Sequence, residues 1–424
     1  MSEILENENA ENIQSLTEAV EAPSYTQQRS FGQLLRSDLG FLPVVLTLLI
    51  IVVCFALISR GLFLAPGNLS NLLQQIIGTA VASLGAALVL LLGEVDLSIA
   101  AVATMSGVIV GILAERLHVP GWEAIIIGLL SGTVAGLING FFVAYLRIPS
   151  FIVTLATLIG FTGFEFYLLQ DQAALAISNP TILILAGSAY SFLPDIYGVG
   201  LPTLAVIIFA LGEIWSHLRR KRQGLRTKPL YQLIGKIVLV AVIVEGVIAI
   251  LENTPGPARG TYLGVPISAA ILFGLILIVW LLLSKTTFGR HVYAVGGNQE
   301  AARRAGINVV GTKLIIFALC STLAAAAGIL LTSRLNAANT QVPLNLLLES
   351  IAAAVIGGVS LFGGVGSVWA IVLGALIIGS LENGLGLLNL GVDVQNMVEC
   401  VVLLIAVTAD ALIRRAQARS KSGR

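Results

Sequence analysis

The sequence predicts an all-α polytopic membrane protein with about 10–12 transmembrane helices. Hydrophobic residues make up 57% of its 424 residues and charged residues only 11%, whereas soluble domains contain roughly 45–50% and about 25%. Apolar runs of about 17–22 residues, long enough to cross a hydrocarbon core as helices, recur along almost the whole chain. These runs lack the strict alternation of barrel strands. Helices therefore remain, because lipid offers no partner to an exposed backbone group.

A window of about 19 residues places twelve candidate spans along the chain. They lie near 41–59, 73–93, 97–114, 123–146, 151–169, 201–217, 231–251, 265–283, 313–333, 346–357, 367–381 and 395–411. The tenth and eleventh are short or interrupted by glycine, so ten crossings with a re-entrant segment remain the alternative to twelve crossings.

Basic residues predict which ends of these spans face the cytoplasm. Lys and Arg are concentrated before the first span, in the connections 219–228 and 285–313, and after the last span. The connections on the opposite side carry few of them. The positive-inside rule therefore places the N and C termini and both long basic loops in the cytoplasm. Beside a span, the segment 219–228 is expected to contact anionic membrane lipid rather than nucleic acid.

A single transmembrane domain is predicted from residue 31 to residue 415. Residues 1–30 are predicted to be a disordered acidic tail, since 1–28 contain six Glu and no Lys or Arg. Residues 416–424 form a basic C-terminal tail. The acidic start lacks the basic region of a cleavable signal peptide, so the first span is expected to stay in the mature protein.

The sequence contains no pattern typical of a metal site or an enzyme. Cys54, Cys320 and Cys400 each lie in an apolar run without a Cys or His at ligand spacing, which predicts packing roles. No Ser/His/Asp or Cys/His set is visible from spacing alone. We therefore expect neither a catalytic site nor a metal or cofactor in this chain.

Two pairs of short motifs favour an internal repeat. "GEVDL" (Gly93 to Leu97) and "GGVSL" (Gly357 to Leu361) each open an apolar helix rich in small residues, and "LING" (Leu137 to Gly140) and "LENG" (Leu381 to Gly384) follow in the same order. Transporters often contain such repeats. Chance matches between glycine-rich helices are the alternative.

Four polar residues within or beside the spans are candidates for a translocation path: Glu94, Asp96, Asn139 and Asn383. Two charges at the bilayer centre would cost roughly 5–7 kcal/mol, so Glu94 and Asp96 belong at an interface or in a wet cavity. Asp96 suits an N-cap for a helix beginning at Leu97, or it lines the path. The two amides either join helices or line the path.

Glycines spaced four residues apart predict close packing of one helix. Gly128, Gly132, Gly136 and Gly140 fall on a single helical stripe, which lets a neighbouring helix approach the backbone closely.

The polar segment 285–312, between two apolar runs, predicts a short cytoplasmic helix. Asn298 suits its N-cap, Glu300 its first turn and Gly306 its end. Ala301, Ala302 and Ala305 would give it a small, smooth face suited to a groove on a soluble partner, and an ordinary solvated helix is the alternative. G-x-G-x-x-G is absent, so nucleotide binding is not expected here.

Motifs in this segment resemble the loop by which membrane subunits of bacterial ATP-binding-cassette importers contact their ATPase. Taken in order, the motifs of the chain are similar to those of permeases of the ribose, xylose and galactose import group. These motifs are "NLSNLLQQ" (Asn68 to Gln75), "GEVDLS" (Gly93 to Ser98), "IPSFIVTL" (Ile148 to Leu155), "EAARRAG" (Glu300 to Gly306) and "IGGVSLFGGVGSV" (Ile356 to Val368). The longer middle of the chain, with its extra helices and the basic loop "RRKRQGLRTK" (Arg219 to Lys228), looks most like the xylose type. The I-x-L-P ending of the generic loop signature is missing at "IIFAL" (Ile315 to Leu319).

The resemblance implies a permease subunit of an ATP-driven monosaccharide importer in the bacterial inner membrane. D-xylose or a related pentose is the expected cargo. The implied partners are a second permease copy, an ATPase subunit with two nucleotide-binding modules, which binds the ATP, and a periplasmic sugar-binding protein. The implied coupling residues are Gly296, Gly297, Asn298, Glu300, Ala301, Ala302, Arg303 and Gly306, with Gly296-Gly297 as the bend that lets the helix meet its partner.

The alternative of a different class is a proton-coupled secondary transporter, in which Glu94 or Asp96 would be the coupling carboxylate. Such a transporter needs no docking loop.

Overall fold

The computed structural model describes residues 42–170, 172–187, 191–224, 229–256, 263–341, 344–402, 404–405 and 408. The tails predicted at 1–30 and 416–424 lie outside the described residues. So do most residues after 402 in the predicted twelfth span, 395–411.

Fourteen α-helices are numbered here in chain order. They are α1 Leu42–Ile58, α2 Pro66–Leu91, α3 Ile99–Gly111, α4 Gly121–Ala144, α5 Ser150–Leu169, α6 Pro180–Leu183, α7 Asp195–Arg222, α8 Leu230–Glu252, α9 Ile267–Lys285, α10 Thr287–Gly297, α11 Gln299–Arg304, α12 Val309–Leu335, α13 Leu344–Ile356 and α14 Val368–Leu387. A 3₁₀ turn, Leu62–Leu64, precedes α2, and a π turn, Ile112–Arg116, extends α3. Helical backbone also covers 392–402.

Nine helices in the described part of the chain are long and apolar enough to cross a membrane. They are α2, α3 with its π turn, α4, α5, α7, α8, α9, α12 and α14. Two shorter apolar helices, 44–58 within α1 and α13, match the first and tenth predicted spans, and the helical stretch 392–402 begins the twelfth. The all-α polytopic prediction is confirmed.

Prolines set the starts of many of these helices. Pro66 is the first residue of α2, and Pro120, Pro149, Pro194, Pro229 and Pro266 directly precede α4, α5, α7, α8 and α9. Proline lacks a backbone N–H and has a fixed φ, so it suits a helix start and cannot extend the preceding segment as a helix.

Helix α12 lies at the centre of the bundle and packs against α2, α3 and α4. The predicted glycine stripe of α4 faces it: a Cβ on Gly132 would overlap Ser321 O, one on Gly136 would overlap Phe317 O, and one on Gly140 would press on Leu314. The packing role predicted for these glycines is confirmed. Helices α13 and α14 pack on α2, whereas α7 packs mainly on α8.

The two ends of the bundle carry different structures. The coupling-loop end contains the connections 92–98, 286–308 and 357–367. The strand end contains two short strands, β1 Ala174–Ala176 and β2 Ala337–Asn339, which pair antiparallel with Leu175 opposite Ala338. Helix α12 separates the two ends, because its 27 residues span about 40 Å. The sequence reading contained no strands, since three-residue segments give no periodic signal.

Candidate functional site

The predicted docking segment forms two helices, α10 and α11, with a break at Asn298. Asn298 has an extended backbone, and its Oδ1 accepts a hydrogen bond from Ala301 N at 2.9 Å. Gly306 follows α11 with φ of +83°, a conformation that other residues adopt only with strain. The cap and the end predicted for this helix are therefore present.

Two details of the segment differ from the sequence reading. Ala302 is buried against the core, so the exposed small face holds only Ala301 and Ala305. The chain bends at Asn298, after the glycine pair, and both glycines belong to the last turn of α10. A Cβ on Gly296 would overlap Leu91 O, whereas one on Gly297 would meet no atom. Gly296 thus serves close packing inside this chain rather than the bend.

Glycines join the docking segment to two other loops of the coupling-loop end. Gly364 N donates to Leu91 O at 2.9 Å, and a Cβ on Gly363 would press on Gly93 N and Gly296 O. The connections after α2 and after α13, which contain "GEVDL" and "GGVSL", therefore touch each other and the end of α10. Backbone contacts of this kind leave little free space between the segments, so a displacement of α10 must also displace both connections.

Charged side chains on α11 are exposed and paired locally. Glu300 lies 3.6 Å from Arg303 and 3.3 Å from Arg304, one helical turn away. Such exposed pairs stabilise a helix only weakly, so these side chains could exchange them for other partners at little cost.

Glu94 lies at the coupling-loop end, beside the docking segment. Its carboxylate accepts from Lys313 Nζ of α12 at 2.5 Å, and the two side chains are only 18% and 9% exposed. The pair borders a cavity of about 260 Å³ that Gln299 and Arg303 of α11 also line, together with Arg147. Lys313, the last basic residue of the connection 285–313, is thus the partner of Glu94.

Asp96 is buried in the connection between α2 and α3, two residues before Ser98, the N-cap residue of α3. It accepts from Ser98 N at 2.8 Å and from Ser98 Oγ at 2.6 Å, which closes a turn before the helix. The predicted N-cap role of Asp96 for a helix beginning at Leu97 is wrong, because α3 begins at Ile99 and Ser98 is its N-cap residue. Burial raises the pKa of the Asp96 carboxyl, although the hydrogen bonds from Ser98 oppose that shift. Cys320 Sγ of α12 lies 3.7 Å from the same carboxyl group.

Asn139 joins α4 to the turn formed by Asp96 and Ser98. Its Nδ2 donates to Ser98 Oγ at 2.9 Å, while its buried Oδ1 has no partner. Three of the four predicted path residues, Glu94, Asp96 and Asn139, therefore gather around the start of α3, next to the docking segment.

Asn383 lies at the opposite end of the bundle. It accepts from Asn68 Nδ2 at 2.8 Å and donates to Gln75 Oε1 at 3.2 Å, which places it near the start of α2. The 26 residues of α2 hold that start about 39 Å from Glu94. "LING" and "LENG" thus occupy opposite ends, which leaves only the first motif pair in matching positions as evidence for a repeat.

The sequence reading missed a buried glutamate in α5. Glu165 is fully buried, and its Oε1 accepts from Thr104 Oγ1 of α3 at 2.7 Å. Its Oε2 is buried without a hydrogen-bond partner. A signal was present, because Glu165 is the one acidic residue in the apolar run Ser150–Leu169, and such residues mark functional sites in membranes.

Comparison with known proteins identifies the group to which this architecture belongs. Residues 68–407 match a family described as "Branched-chain amino acid transport system / permease component". The chain belongs to this permease family. As a member of it, the protein is a multi-pass transport component of the cell membrane and not an enzyme.

The relatives of the permease include several sugar transport proteins. It is 38% identical over 367 residues to the xylose transport system permease protein of Haemophilus influenzae, covering 87% of this chain and 95% of the relative. The xylose permease protein of Escherichia coli K12 is 35% identical over 388 residues, with 91% and 95% covered. The ribose import permease protein of Bacillus subtilis is 32% identical over 366 residues, with 86% and 91% covered. No solved structure gave a significant match.

These relatives confirm the predicted resemblance to the sugar-import group of permeases. The family description names branched-chain amino acids, but the similar proteins are named for xylose and ribose. The permease is therefore a subunit of a sugar importer of this class.

Proposed function

We propose that this permease forms the translocation path of an ATP-driven importer for a pentose, with D-xylose as the cargo. The observation that carries the proposal is its 38% identity to a xylose permease protein over 95% of that relative. A match over nearly the full length includes the helices that enclose a path as well as the loop.

In this proposal, an ATPase subunit with two nucleotide-binding modules docks on α11. The capped helix presents Glu300, Arg303 and the small residues Ala301 and Ala305 to solvent. Behind it, glycine contacts connect α10 to the two neighbouring connections, and the Lys313–Glu94 pair connects α12 to the start of α3. ATP-driven movement of α11 would thus reach α3 and α12 through rigid contacts.

Two docking modules require two docking loops, so the proposal includes a permease homodimer. A periplasmic sugar-binding protein delivers the cargo to the strand end. Reconstitution of the permease with a candidate ATPase and binding protein tests the assembly: uptake should require ATP and both partners, and unlabelled xylose should compete better than ribose or arabinose. Equal competition by all three sugars would contradict the assignment of xylose.

Variants of α11 test the docking itself. Glu300→Lys reverses the charge of the first turn, and Gly306→Val places a β-branched residue at φ of +83°, which costs on the order of 1–3 kcal/mol of local strain. Both should lower uptake at least tenfold while the permease still inserts, and both should weaken ATPase capture by the purified permease.

A matched control is Arg220→Glu, an equally large charge reversal at an exposed position on the other cytoplasmic connection. It should leave uptake and capture unchanged. Normal uptake by Glu300→Lys and Gly306→Val, or an equal loss in Arg220→Glu, would contradict docking at α11.

The proton-coupled alternative finds less support in the geometry. Glu94 is paired with Lys313, and Asp96 accepts two hydrogen bonds from Ser98, so both carboxylates have structural partners beside the docking segment. Vesicles containing the permease alone decide the question. Uptake that persists without any ATPase and collapses with the proton gradient would favour the secondary transporter.

A further inference from the structure

A cleft at the strand end reaches into the bundle between α3 and α12. Its volume is about 370 Å³, within the roughly 300–1,000 Å³ of small-molecule sites. The rim is formed by Ala174 of β1 and Asn339 of β2, and the inner part by Thr104 of α3 and Thr332 of α12. The cleft thus connects the end at which cargo would arrive with the interior of the bundle.

The groups that line this cleft match a neutral ligand with many hydroxyl groups. Thr104, Thr332, Asn339 and Gln341 supply two hydroxyls and two amides, and the other described lining residues are apolar or glycine. None of the described lining residues carries a charge, so nothing there favours a phosphorylated or ionic ligand. Hydroxyl and amide groups both donate and accept hydrogen bonds, as a sugar does.

Glu165 lies directly behind Thr104. The Thr104 hydroxyl is 2.7 Å from Glu165 Oε1 and 3.1 Å from the carbonyl oxygens of Ala100 and Ala101. A hydroxyl has one hydrogen to donate, so a Thr104 hydroxyl that donates to Glu165 can bind a further group only by accepting a hydrogen bond from it. Glu165 is fully buried with Oε2 unpartnered, and such a group inside a membrane is costly to retain without a role.

We propose that this cleft is a monosaccharide subsite on the translocation path, in which Thr104 binds a sugar hydroxyl and Glu165 positions Thr104. The inference rests on the proposed import function and specifies where within one protomer the delivered sugar first binds. Thr104 lies five residues into α3, about 8 Å from its start. The subsite is therefore linked through one helix to the turn formed by Asp96 and Ser98 at the coupling-loop end.

The subsite is tested by binding to the purified permease alone, without ATPase or binding protein. Saturation-transfer NMR with D-xylose should detect weak binding to the wild type. Thr104→Val, which replaces the hydroxyl by a methyl group, and Glu165→Gln should each reduce the signal at least fivefold. Thr104→Ser keeps the hydroxyl and should restore it.

Thr162→Val is the matched control. Thr162 lies in the same helix as Glu165, but its hydroxyl donates to Leu158 O within that helix at 2.8 Å. This variant should bind xylose like the wild type. In the complete importer, Thr104→Val should raise the KM for sugar-loaded binding protein or lower the uptake rate at least fivefold, whereas Thr162→Val should not.

The outcomes separate the subsite from the proposed function. If the wild-type importer takes up xylose but Thr104→Val and Glu165→Gln bind and transport like Thr162→Val, the subsite is wrong and the import function stands. If the wild-type permease binds no sugar, the subsite is also overturned. Sugar binding that depends on Thr104 without ATP-dependent uptake would support the subsite and contradict the import function.

Discussion

The central helices α2 and α12 and the peripheral pair α7 and α8 differ in how they pack against the rest of the protein. All four are apolar and long enough to span a membrane, yet 83% and 67% of the spanning windows of α2 and α12 are buried inside the protein, against 6% for α7 and for α8. Hydropathy is therefore not what separates core from periphery in this molecule. In lipid, burial of apolar surface supplies no force that draws helices together.

The space around the glycines differs between the central and the peripheral helices. In the centre, a Cβ on Gly85 would lie 2.9 Å from Cys320 O, and one on Gly328 would overlap Ala103 O. In the peripheral pair, a Cβ on Gly212, Gly235 or Gly246 would meet no atom. The central helices are thus held by close backbone contact. The α7–α8 pair is held by side chains, including the 2.8 Å contact of Lys236 with Glu213.

The largest expected effect comes from filling a central glycine. Gly328→Ala should destabilise the protein by about 3 kcal/mol, the upper end for overpacking, because α3 and α12 must separate to admit the methyl group. Gly246→Ala in α8 should leave stability unchanged or raise it by up to about 1 kcal/mol, since alanine favours helix. SDS unfolding in mixed micelles measures both, and equal losses would remove the distinction between the regions.

The second-largest loss of stability is expected when Lys313 is replaced. Lys313→Met leaves Glu94 unpaired among largely buried groups and should cost about 2 kcal/mol, less than the roughly 3–5 kcal/mol of a fully buried pair. Lys236→Met is the matched change at an exposed pair near the start of α8, where it should cost about 0.5 kcal/mol. Adding Glu94→Gln to Lys313→Met should recover most of the loss. A double variant no more stable than Lys313→Met would contradict the pairing.

A smaller loss of stability is expected when an amide that joins α14 to α2 is removed. Asn383→Leu removes the hydrogen bonds to Asn68 and Gln75 of α2 and should cost about 1 kcal/mol, as interhelical hydrogen bonds in membranes do. Asn253→Leu, in which the lost bond reaches only Ala249 O of the same helix, is the control. The same unfolding assay should find at most a few tenths of that cost for the control.

The smallest effect is expected from Glu213→Gln in α7. It neutralises one half of the Lys236 contact but keeps a hydrogen-bonding side chain, so stability should change by less than about 0.5 kcal/mol. Its uptake should equal that of the wild type. A loss of uptake in this variant would show that the peripheral pair takes part in transport and is more than a lipid-facing addition.

Much of the site was predictable because its signals are local. The cap at Asn298 and the end at Gly306 depend on residues within two or three positions, and the structure contains both. The cap predicted at Asp96 is absent, because the backbone turns at Ser98 before α3 begins. The four proposed path residues were not predictable as a group. Their grouping depends on which helix ends meet in the bundle. Glu94, Asp96 and Asn139 lie together at the coupling-loop end, whereas Asn383 lies at the opposite end.

The sequence by itself determined the class of the protein, the positions of its spans, the basic side and the capped helix α11. Each of these follows from hydropathy, charge or capping along a short stretch of chain. Only the tertiary structure decided that Lys313 pairs with Glu94, that Gly296 packs on Leu91, and that Glu165 lies behind a cleft. Helix contacts in lipid are chosen by the fit of surfaces rather than by hydrophobicity, and that fit involves residues hundreds of positions apart.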